Sequence, residues 1–317
     1  MNTLPFENIK REILTKKETI LDPNNQPGER SVSELLNYGI VNIDKPKGPT
    51  SHQVSDYVQR ILHIKKSGHS GTLDPGVTGV LPIALGRATR IVQTLLPAGK
   101  EYMCIMHIHK EVEEKKVRRV FKEFTGKITQ LPPIKSAVKR QERERDIYYI
   151  NMLEIEGKDV LFQVGCQAGT YIRKLVHDIG KRLGTGAHMV ELRRTKAGCF
   201  DESTLVTLQE LTDAYFYWKE EGKEKLIRKV IQPIENAVQH LPKIWVFDSA
   251  VESLCHGRDL AAPGIFKLHN DINPDNLVAV MTVTDELIAI GNAEMTSIMM
   301  LKKKNGIAVK INKVFKH

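Results

Sequence analysis

The 317-residue chain carries 47 lysines and arginines against 38 aspartates and glutamates, a formal net charge of +9, and its sequence pI is near 9.2. Its 41% hydrophobic and 27% charged residues are typical of a globular protein, and it has no apolar run of the roughly 18 residues that a membrane helix needs. The basic excess agrees with a polyanionic partner. The N-terminus lacks the basic-then-apolar order of a secretory signal, which predicts a cytoplasmic protein.

The sequence predicts neither a metal site nor a cofactor site. Its four cysteines, Cys104, Cys166, Cys199 and Cys255, are far apart and include no Cys-x-x-Cys pair, so we expect reduced thiols. No glycine-rich nucleotide-binding loop is present. Any chemistry is therefore expected to proceed without a cofactor.

The first half of the chain predicts a mixture of strands and helices after an N-terminal arm. Residues 1–38 include a turn-rich stretch with little periodicity, and Ser51 is predicted to cap a helix that carries the chain to Gly68. Further elements are predicted as strands at 39–44, 80–84 and 102–109, helices at 88–95, 117–124 and 171–183, a basic loop at 132–146, and a hairpin of strands 147–155 and 160–166. This irregular order is that of an α+β fold.

The last third of the chain changes character. Thr207 and Glu210 form a capping box in front of a helical stretch that is predicted to continue to about His240. From Lys243 onward the pattern becomes one of short strands, predicted at 244–247, 277–283, 286–289 and 307–314. We therefore expect a domain boundary at residues 241–242.

The most informative stretch is GHSGTLDPGVTGVL, residues 68–81. Four glycines and a proline hold Asp74 in a turn between two apolar segments, so the backbone and not a mobile tip fixes the carboxylate. One interpretation is an Asx-type turn in which the carboxylate only accepts hydrogen bonds from backbone amides. The other is a catalytic carboxylate.

This stretch, together with KPKGPTS at 45–51, resembles the signature of the TruB and dyskerin family of pseudouridine synthases. Further matching motifs follow in the family's order, at 100–102 (KEY), 168–173 (AGTYIR) and 186–195 (GAHMVELRRT). The segments PPIKSAV at 132–138 and 257–265 resemble more narrowly the archaeal form that works with an H/ACA guide RNA. The resemblance runs from about Gly39 to the C-terminus.

The resemblance implies a fold and a division into domains. A pseudouridine synthase fold, with a mixed and largely antiparallel sheet flanked by helices, is expected over residues 39–241. A PUA pseudo-barrel that binds RNA is expected over residues 242–317, and residues 1–38 are expected to pack on it.

The resemblance also implies an active site. Asp74 matches the catalytic aspartate, which can attack the sugar or remove the proton at C2′, and the sequence leaves both roles open. Arg173 supplies the opposite charge that keeps this carboxylate ionised. Tyr102 corresponds to the aromatic residue that stacks on the target base, and Tyr171 and Leu192 match positions that line the same pocket.

Other residues are expected to support the site or to bind RNA. Lys45 and His69 either support the Asp74 loop or contact phosphate, and His69 can equally be a buried histidine bonded to backbone. A thumb loop at 133–147 is expected to close over substrate RNA with its cations, namely Lys135, Lys139 and Arg140. In the C-terminal domain, the segment that recognises the ACA end of a guide RNA includes Arg258, Pro263 and Gly264.

The function implied is conversion of uridine to pseudouridine in ribosomal RNA by the catalytic subunit of an archaeal H/ACA guide ribonucleoprotein. Its expected partners are the guide RNA, the substrate RNA, two small proteins on the catalytic domain, and a kink-turn-binding protein carried by the RNA. One alternative is a stand-alone synthase that acts on transfer RNA. A second alternative, from another class, is a non-catalytic RNA-binding scaffold.

Overall fold

The computed structural model describes residues 3–16, 30–132 and 141–316. The first strand, β1 (Ile13–Thr15), pairs antiparallel with a C-terminal strand at Ile265–His269. The first helix, α1 (Val32–Tyr38), instead buries Val32 and Leu35 in a core beneath the central sheet. The prediction of an extended arm over residues 1–38 is therefore wrong for its last seven residues, whose apolar spacing forms a packed helix.

The middle of the chain forms the central sheet and its helices. The elements are β2 (Gly39–Lys45), α2 (Ser51–Leu62), β3 (Ser67–His69), β4 (Thr78–Leu85), α3 (Val92–Leu95), β5 (Lys100–Ile108), α4 (Glu114–Glu123), β6 (Gly126–Gln130), β7 (Arg143–Glu156), β8 (Asp159–Cys166), α5 (Ile172–Leu183), β9 (Ala187–Ala197), β10 (Phe200–Asp201), α6 (Leu208–Glu221), α7 (Glu224–Val230) and β11 (Gln232–Pro233). Among the described residues, the strand order is β11-β2-β4-β9-β5-β8-β7-β6, with β3 beside β4 and β10 beside β9. Only the β4–β9 pair is parallel within this part of the chain, which confirms the mixed, largely antiparallel sheet.

The side chains of β4 show why helices cover both faces of this sheet. Its residues alternate, so that Leu81 and Ile83 face a core shared with α1, α2 and α6, while Val80 and Ala84 face a second core. A third core lies between β5 and β8 and the helices α4 and α5. Leu73 belongs to this third core, so the turn that holds Asp74 joins it to β4.

A second sheet occupies the end of the chain. Its elements are β12 (Lys243–Val246), α8 (Asp248–Cys255), β13 (Leu260–Ala261), β14 (Ile265–His269), β15 (Leu277–Met281), β16 (Leu287–Ala293), α9 (Ser297–Lys302) and β17 (Ile307–Val314). In the described part of the chain this sheet runs β1-β14-β12-β15-β16-β17-β13. The alternating strands predicted here are confirmed, but α8, α9 and β14 were not expected.

The two sheets share one apolar core. Trp245 and Phe266 of the C-terminal sheet belong to the same buried cluster as Ile91 and Leu95, which precede β5. The boundary predicted at 241–242 falls between β11 and β12, at a point where one apolar core continues across it.

Several helices and strands begin or end at residues other than those predicted, each for an identifiable reason. Thr50, not Ser51, caps α2, and its hydroxyl accepts a hydrogen bond from the Gln53 amide. The loop predicted at 132–146 ends earlier, because Arg143 to Asp146 pair with β6 as the start of β7. The helical stretch expected up to His240 is broken, since β11 adds to the edge of the central sheet. None of the helices in residues 3–16, 30–132 and 141–316 is long and apolar enough to cross a membrane.

His240 joins three parts of the molecule at the junction between the sheets. Its Nε2 lies 3.1 Å from the Thr94 carbonyl oxygen, and its own carbonyl accepts a hydrogen bond from Arg11. Burial, together with the nearby positive charges of Lys100 and Arg11, lowers the pKa of His240 from 6.5 to about 4. The imidazole is therefore neutral in the folded protein at pH 7.

His240→Gln is expected to reduce the loss of stability on acidification. Between pH 6.5 and about 4, His240 is protonated in the unfolded chain but neutral in the folded protein. The free energy of unfolding therefore falls by up to about 1.4 kcal/mol per pH unit as pH decreases. Glutamine donates to the Thr94 carbonyl without titrating. Urea unfolding of both proteins at pH 7, 6 and 5 measures the difference in slope. The exposed His256→Gln serves as the control, and equal slopes for all three proteins would contradict the assignment.

Candidate active site

Asp74 begins a tight turn that three neighbouring groups hold in place. The Val77 amide donates to the Asp74 carbonyl at 3.0 Å, and the Gly48 amide donates to the Pro75 carbonyl at 2.8 Å. The Ser51 hydroxyl accepts from the Leu73 amide at 2.8 Å and lies 3.2 Å from the Leu73 carbonyl. Ser51 thus ties the start of α2 to the turn, and the carboxylate projects from a fixed backbone.

Lys45 supports this turn from beneath. Its side chain is completely buried, and its Nζ donates to the carbonyls of Pro46, Pro75 and Val77 at 3.0, 3.3 and 2.8 Å. Burial lowers the pKa of Lys45, a shift that the positive charge of Arg194 reinforces. Of the two roles predicted for Lys45, the contacts favour support of the loop.

Arg173 brings a positive charge directly to the carboxylate. Its Nη2 donates to Asp74 Oδ2 at 2.6 Å, and the two side chains are 62% and 56% exposed. Arg173 is the second residue of α5, whose N-cap Tyr171 is fixed by two hydrogen bonds with Gln130. The first turn of a helix is an unfavourable place for a cation, and the ion pair with Asp74 offsets that cost.

Tyr102 and Leu192 form the apolar side of the site on two neighbouring strands. Tyr102 on β5 lies opposite Arg194 on β9, and Leu192 lies opposite Cys104. Both side chains are buried, in the same core as Leu73, which precedes Asp74. Leu192 lies in β9, a strand that was not predicted from the sequence.

Arg194 was not among the predicted site residues. It is almost completely buried at 1% exposure. Its Nε donates to the Val80 carbonyl at 2.7 Å and its Nη2 to the Gly71 carbonyl at 3.2 Å. Burial lowers the pKa of Arg194, and the nearby Tyr102 side chain opposes that shift. Arg194 therefore connects both ends of the Asp74 loop, at Gly71 and Val80.

Close backbone contact between β4 and β9 explains one of the motif's glycines. Gly79 has a φ of +100°, and a Cβ at this position would lie 2.2 Å from the Arg194 carbonyl oxygen. Only glycine fits such an approach. The motif's final glycine therefore secures the parallel pairing that carries the loop.

His69 contacts the backbone of the loop, and Lys100 contacts the neighbouring end of α3. The Gly71 amide points at His69 Nδ1 at 3.4 Å, and burial, together with His52 and Arg194, lowers the pKa of His69 to about 4. Lys100 Nζ donates to three carbonyls around the end of α3, and burial lowers its pKa to about 7. His69 is half-buried, and its contact with the Gly71 amide agrees with a histidine bonded to backbone.

The remaining predicted residues lie elsewhere. Lys135, Lys139 and Arg140 of the predicted thumb loop are outside the described residues. In the C-terminal sheet, Arg258 and Pro263 are exposed on the connection between α8 and β14, and the Gly264 carbonyl accepts a hydrogen bond from the Phe247 amide. The structure thus brings Asp74, Tyr102, Tyr171, Arg173 and Leu192 into one region and leaves the C-terminal set apart.

The site offers one accessible carboxylate, a paired arginine and a fixed aromatic ring. In residues 3–16, 30–132 and 141–316 no group of three or more histidine, cysteine, aspartate or glutamate side chains is arranged to hold a metal ion. A carboxylate so placed can act as a nucleophile or base at a sugar. The fold and site define an α+β protein that has an appended, mostly β domain and presents an exposed carboxylate–arginine pair.

Comparison with known proteins specifies the class. Residues 59–172 match the N-terminal domain of TruB family pseudouridylate synthases, and residues 173–239 match the tRNA pseudouridylate synthase B C-terminal domain. Residues 242–315 match the PUA domain, and residues 4–55 match the DKCLD domain.

Similar proteins cover nearly the whole chain. A protein of Pyrococcus furiosus named probable tRNA pseudouridine synthase B is 57% identical over 97% of this chain and 92% of its own length. One of Methanopyrus kandleri with the same name is 54% identical over 98% and 92%. A chain in the crystal structure of a Cbf5-Nop10-Gar1 complex matches with a TM-score of 0.93 and 56% identity, covering 99% of this chain and 96% of that one. The chain therefore belongs to the TruB family of pseudouridine synthases and is an RNA isomerase.

Proposed function

We propose that this chain is the catalytic subunit of an archaeal H/ACA guide ribonucleoprotein and isomerises uridine to pseudouridine in ribosomal RNA at positions that the guide selects. The observation that carries the proposal is likeness over nearly the full length of the chain. A structure described as an H/ACA RNP bound to a substrate RNA containing 2′-deoxyuridine contains a chain with a TM-score of 0.93 and 53% identity, and the match covers 99% of this chain.

In this proposal the target uridine leaves its stack and enters the region between Asp74, Tyr102 and Leu192. The bond between uracil N1 and ribose C1′ breaks, the base turns, and a new bond forms from C5 to C1′. C5 then loses its proton and N1 gains one, and the bond from Asp74 to C1′ breaks or the proton taken from C2′ returns, so that the reaction is an isomerisation. Asp74 begins this sequence, by attack at C1′ or by removal of the proton at C2′, and either step needs its ionised form. Arg173 favours that form when RNA displaces water from the site.

The other predicted residues act in positioning. Tyr102, opposite Arg194 in the sheet, provides the ring against which the base packs, and base stacking of this kind contributes about 1 to 3 kcal/mol. Tyr171 and Leu192 line the pocket. The phosphates of the substrate RNA are bound by the thumb-loop cations Lys135, Lys139 and Arg140.

We assign catalysis to residues 39–241 and recognition of the ACA end of the guide to residues 242–317, through Arg258, Pro263 and Gly264. The N-terminal segment 1–38 supports the second domain through β1. The protein partners are two small proteins on the catalytic domain and a kink-turn-binding protein carried by the RNA. The assembly works in the cytoplasm.

A second candidate is a stand-alone synthase for transfer RNA. The observation that favours it is the name of the relatives in Pyrococcus furiosus and Methanopyrus kandleri, probable tRNA pseudouridine synthase B. The two candidates share the Asp74 chemistry and differ in whether a guide RNA is required.

The deciding experiment measures pseudouridine formation by the purified protein on a ribosomal RNA fragment. The reaction is run with and without a matching H/ACA guide and the partner proteins, and in parallel on an unguided transfer RNA. We expect product on ribosomal RNA only when guide and partners are present. Product on transfer RNA alone would favour the stand-alone enzyme, and no product on either RNA would contradict both candidates.

A further inference from the structure

An open pocket of about 460 Å³ lies on the central domain, away from the Asp74 turn. Its walls come from α1, from the segment between α2 and β3, and from the turn after β4. Four cations line it, namely Lys65, Lys66, Arg87 and Arg90. None of these residues belongs to the motifs on which the active site was assigned.

The charge of this pocket is of one sign. Among the described residues that line it there is no aspartate or glutamate, and all four cations are exposed. Four like charges around one concavity repel one another, and an anion in the pocket relieves that repulsion. The polar side chain of Asn37 and the hydroxyl of Ser33 complete a lining that can donate hydrogen bonds.

The walls of the pocket are held together before any ligand arrives. The Gly86 amide donates to the Lys66 carbonyl at 2.8 Å, and the Arg87 amide donates to Asn37 Oδ1 at 3.2 Å. Gly86 has a φ of +53°, and a Cβ there would lie 2.4 Å from Asn37 Oδ1, so the turn and α1 are in close contact. The guanidinium of Arg87 is also anchored, because it donates to the Tyr38 hydroxyl at 2.9 Å.

The pocket is too far from the active site to contact the same nucleotide. The turn that begins at Asp74 leads into the first residue of β4, Thr78, whereas Gly86 directly follows the last residue, Leu85. Eight residues of strand at about 3.3 Å each separate the two ends by about 26 Å. A ligand that contacts both places must therefore be a long polyanion.

We infer that this pocket, which we name the basic pocket (Lys65, Lys66, Arg87 and Arg90), binds phosphates of the RNA backbone at a distance from the target uridine. The inference rests on the proposed function, because it takes the guide RNA as the ligand. The basic pocket contributes affinity and places the RNA, and it takes no part in the isomerisation.

The test is the variant Lys65→Gln/Lys66→Gln/Arg90→Gln, which keeps Arg87 and its hydrogen bond to Tyr38. Binding of a fluorescent H/ACA guide RNA is followed by anisotropy over a series of KCl concentrations. Each phosphate that the protein no longer neutralises reduces the slope of log K against log salt by about 0.7 to 0.9, so removal of three cations lowers the slope by about 2 to 3. At low salt we expect affinity to fall by about 10- to 100-fold.

A matched control removes the same net charge elsewhere. Lys115→Gln/Arg119→Gln/Lys122→Gln changes three exposed cations on α4, and it should keep most of the slope and affinity. Thermal melts of both variants verify that they are folded. A basic-pocket variant with the slope and affinity of the unaltered protein would overturn the inference and leave the proposed function standing.

Two other outcomes are distinguishable. If the unaltered protein binds no guide RNA, the proposed function fails and the inference fails with it. If the triple variant keeps its affinity for guide RNA but loses affinity for poly-glutamate, the basic pocket receives an acidic protein segment and the assignment to RNA is wrong.

Discussion

Asp74→Asn is expected to abolish pseudouridine formation, with a loss on the order of 10⁴-fold or more, because the amide can neither attack the sugar nor accept its proton. The turn itself should survive, since the hydrogen bonds that fix it use the backbone of Asp74 and its neighbours. Product formation on guided ribosomal RNA gives the rate, and anisotropy with guide RNA shows whether affinity stays close to that of the unaltered protein.

The appropriate control is Asp56→Asn, an exposed aspartate on α2. It makes the same chemical change away from the site and should leave the rate unaltered. Substantial residual activity in the variant at position 74 would exclude Asp74 from the chemical step.

Arg173→Ala is expected to have the next largest effect, a loss of about 10- to 1,000-fold in rate. The guanidinium holds the Asp74 carboxylate through a hydrogen bond of 2.6 Å, and loss of one charged hydrogen-bond partner at a reacting centre costs up to about 10³-fold in rate. In the free protein the Arg173–Asp74 pair is more than half exposed, so its removal should change the free energy of unfolding by at most about 1 kcal/mol. Product formation on guided ribosomal RNA gives the rate, and urea unfolding gives the stability.

The same helix offers a matched control. Arg182 pairs with Glu123 at 2.6 Å with similar exposure of the arginine, and Arg182→Ala should cost as little stability without loss of rate. Arg173→Lys keeps the charge and should recover part of the activity. If Arg173→Ala and Arg182→Ala reacted equally fast, the ion pair at Asp74 would be a surface contact without a role in catalysis.

The fold was predictable from the sequence where side chains alternate or recur with a strong period. The core positions of β5 are an example, since Cys104, Met106 and Ile108 alternate with less buried residues, as their spacing in the sequence indicates. In β9 the prediction failed, because the charged side chains of residues 191–196 obscure the period of two. Both arginines are accommodated in the strand because they bind residues distant in the sequence. Arg193 donates to the Asp44 carboxylate, and Arg194 donates to the Val80 carbonyl.

The motif at residues 100–102 shows why contiguous residues could not be separated by role. Lys100 caps the end of α3, and Glu101 is buried, where it accepts hydrogen bonds from Tyr149 and Thr195. Only Tyr102 of these three residues faces the site. A family motif includes all three residues without separating their roles. Deciding which residue faces the active site and which one supports the fold requires knowing which strands pair with β5.

Arg194 illustrates the opposite difficulty. Two adjacent arginines in a sequence are usually interpreted as a solvated basic surface, and nothing local indicates that one of them is buried. Its partners, the carbonyls of Gly71 and Val80, are 123 and 114 positions away in the chain. Spacing along the sequence carries no signal for a clamp of this kind.

The short N-terminal strand has a consequence for the behaviour of the molecule in solution. Without β1, the strand β14 would form an open edge, with unpaired backbone groups next to the buried side chains of Ile265, Phe266 and Leu268. Such an edge is a template on which a second molecule can add a strand. The three residues Ile13–Thr15 pair with this edge. The new outer edge of the sheet is then β1, which is too short for a strand of a second molecule to pair with it. The N-terminal segment therefore protects the chain from self-association through its C-terminal sheet.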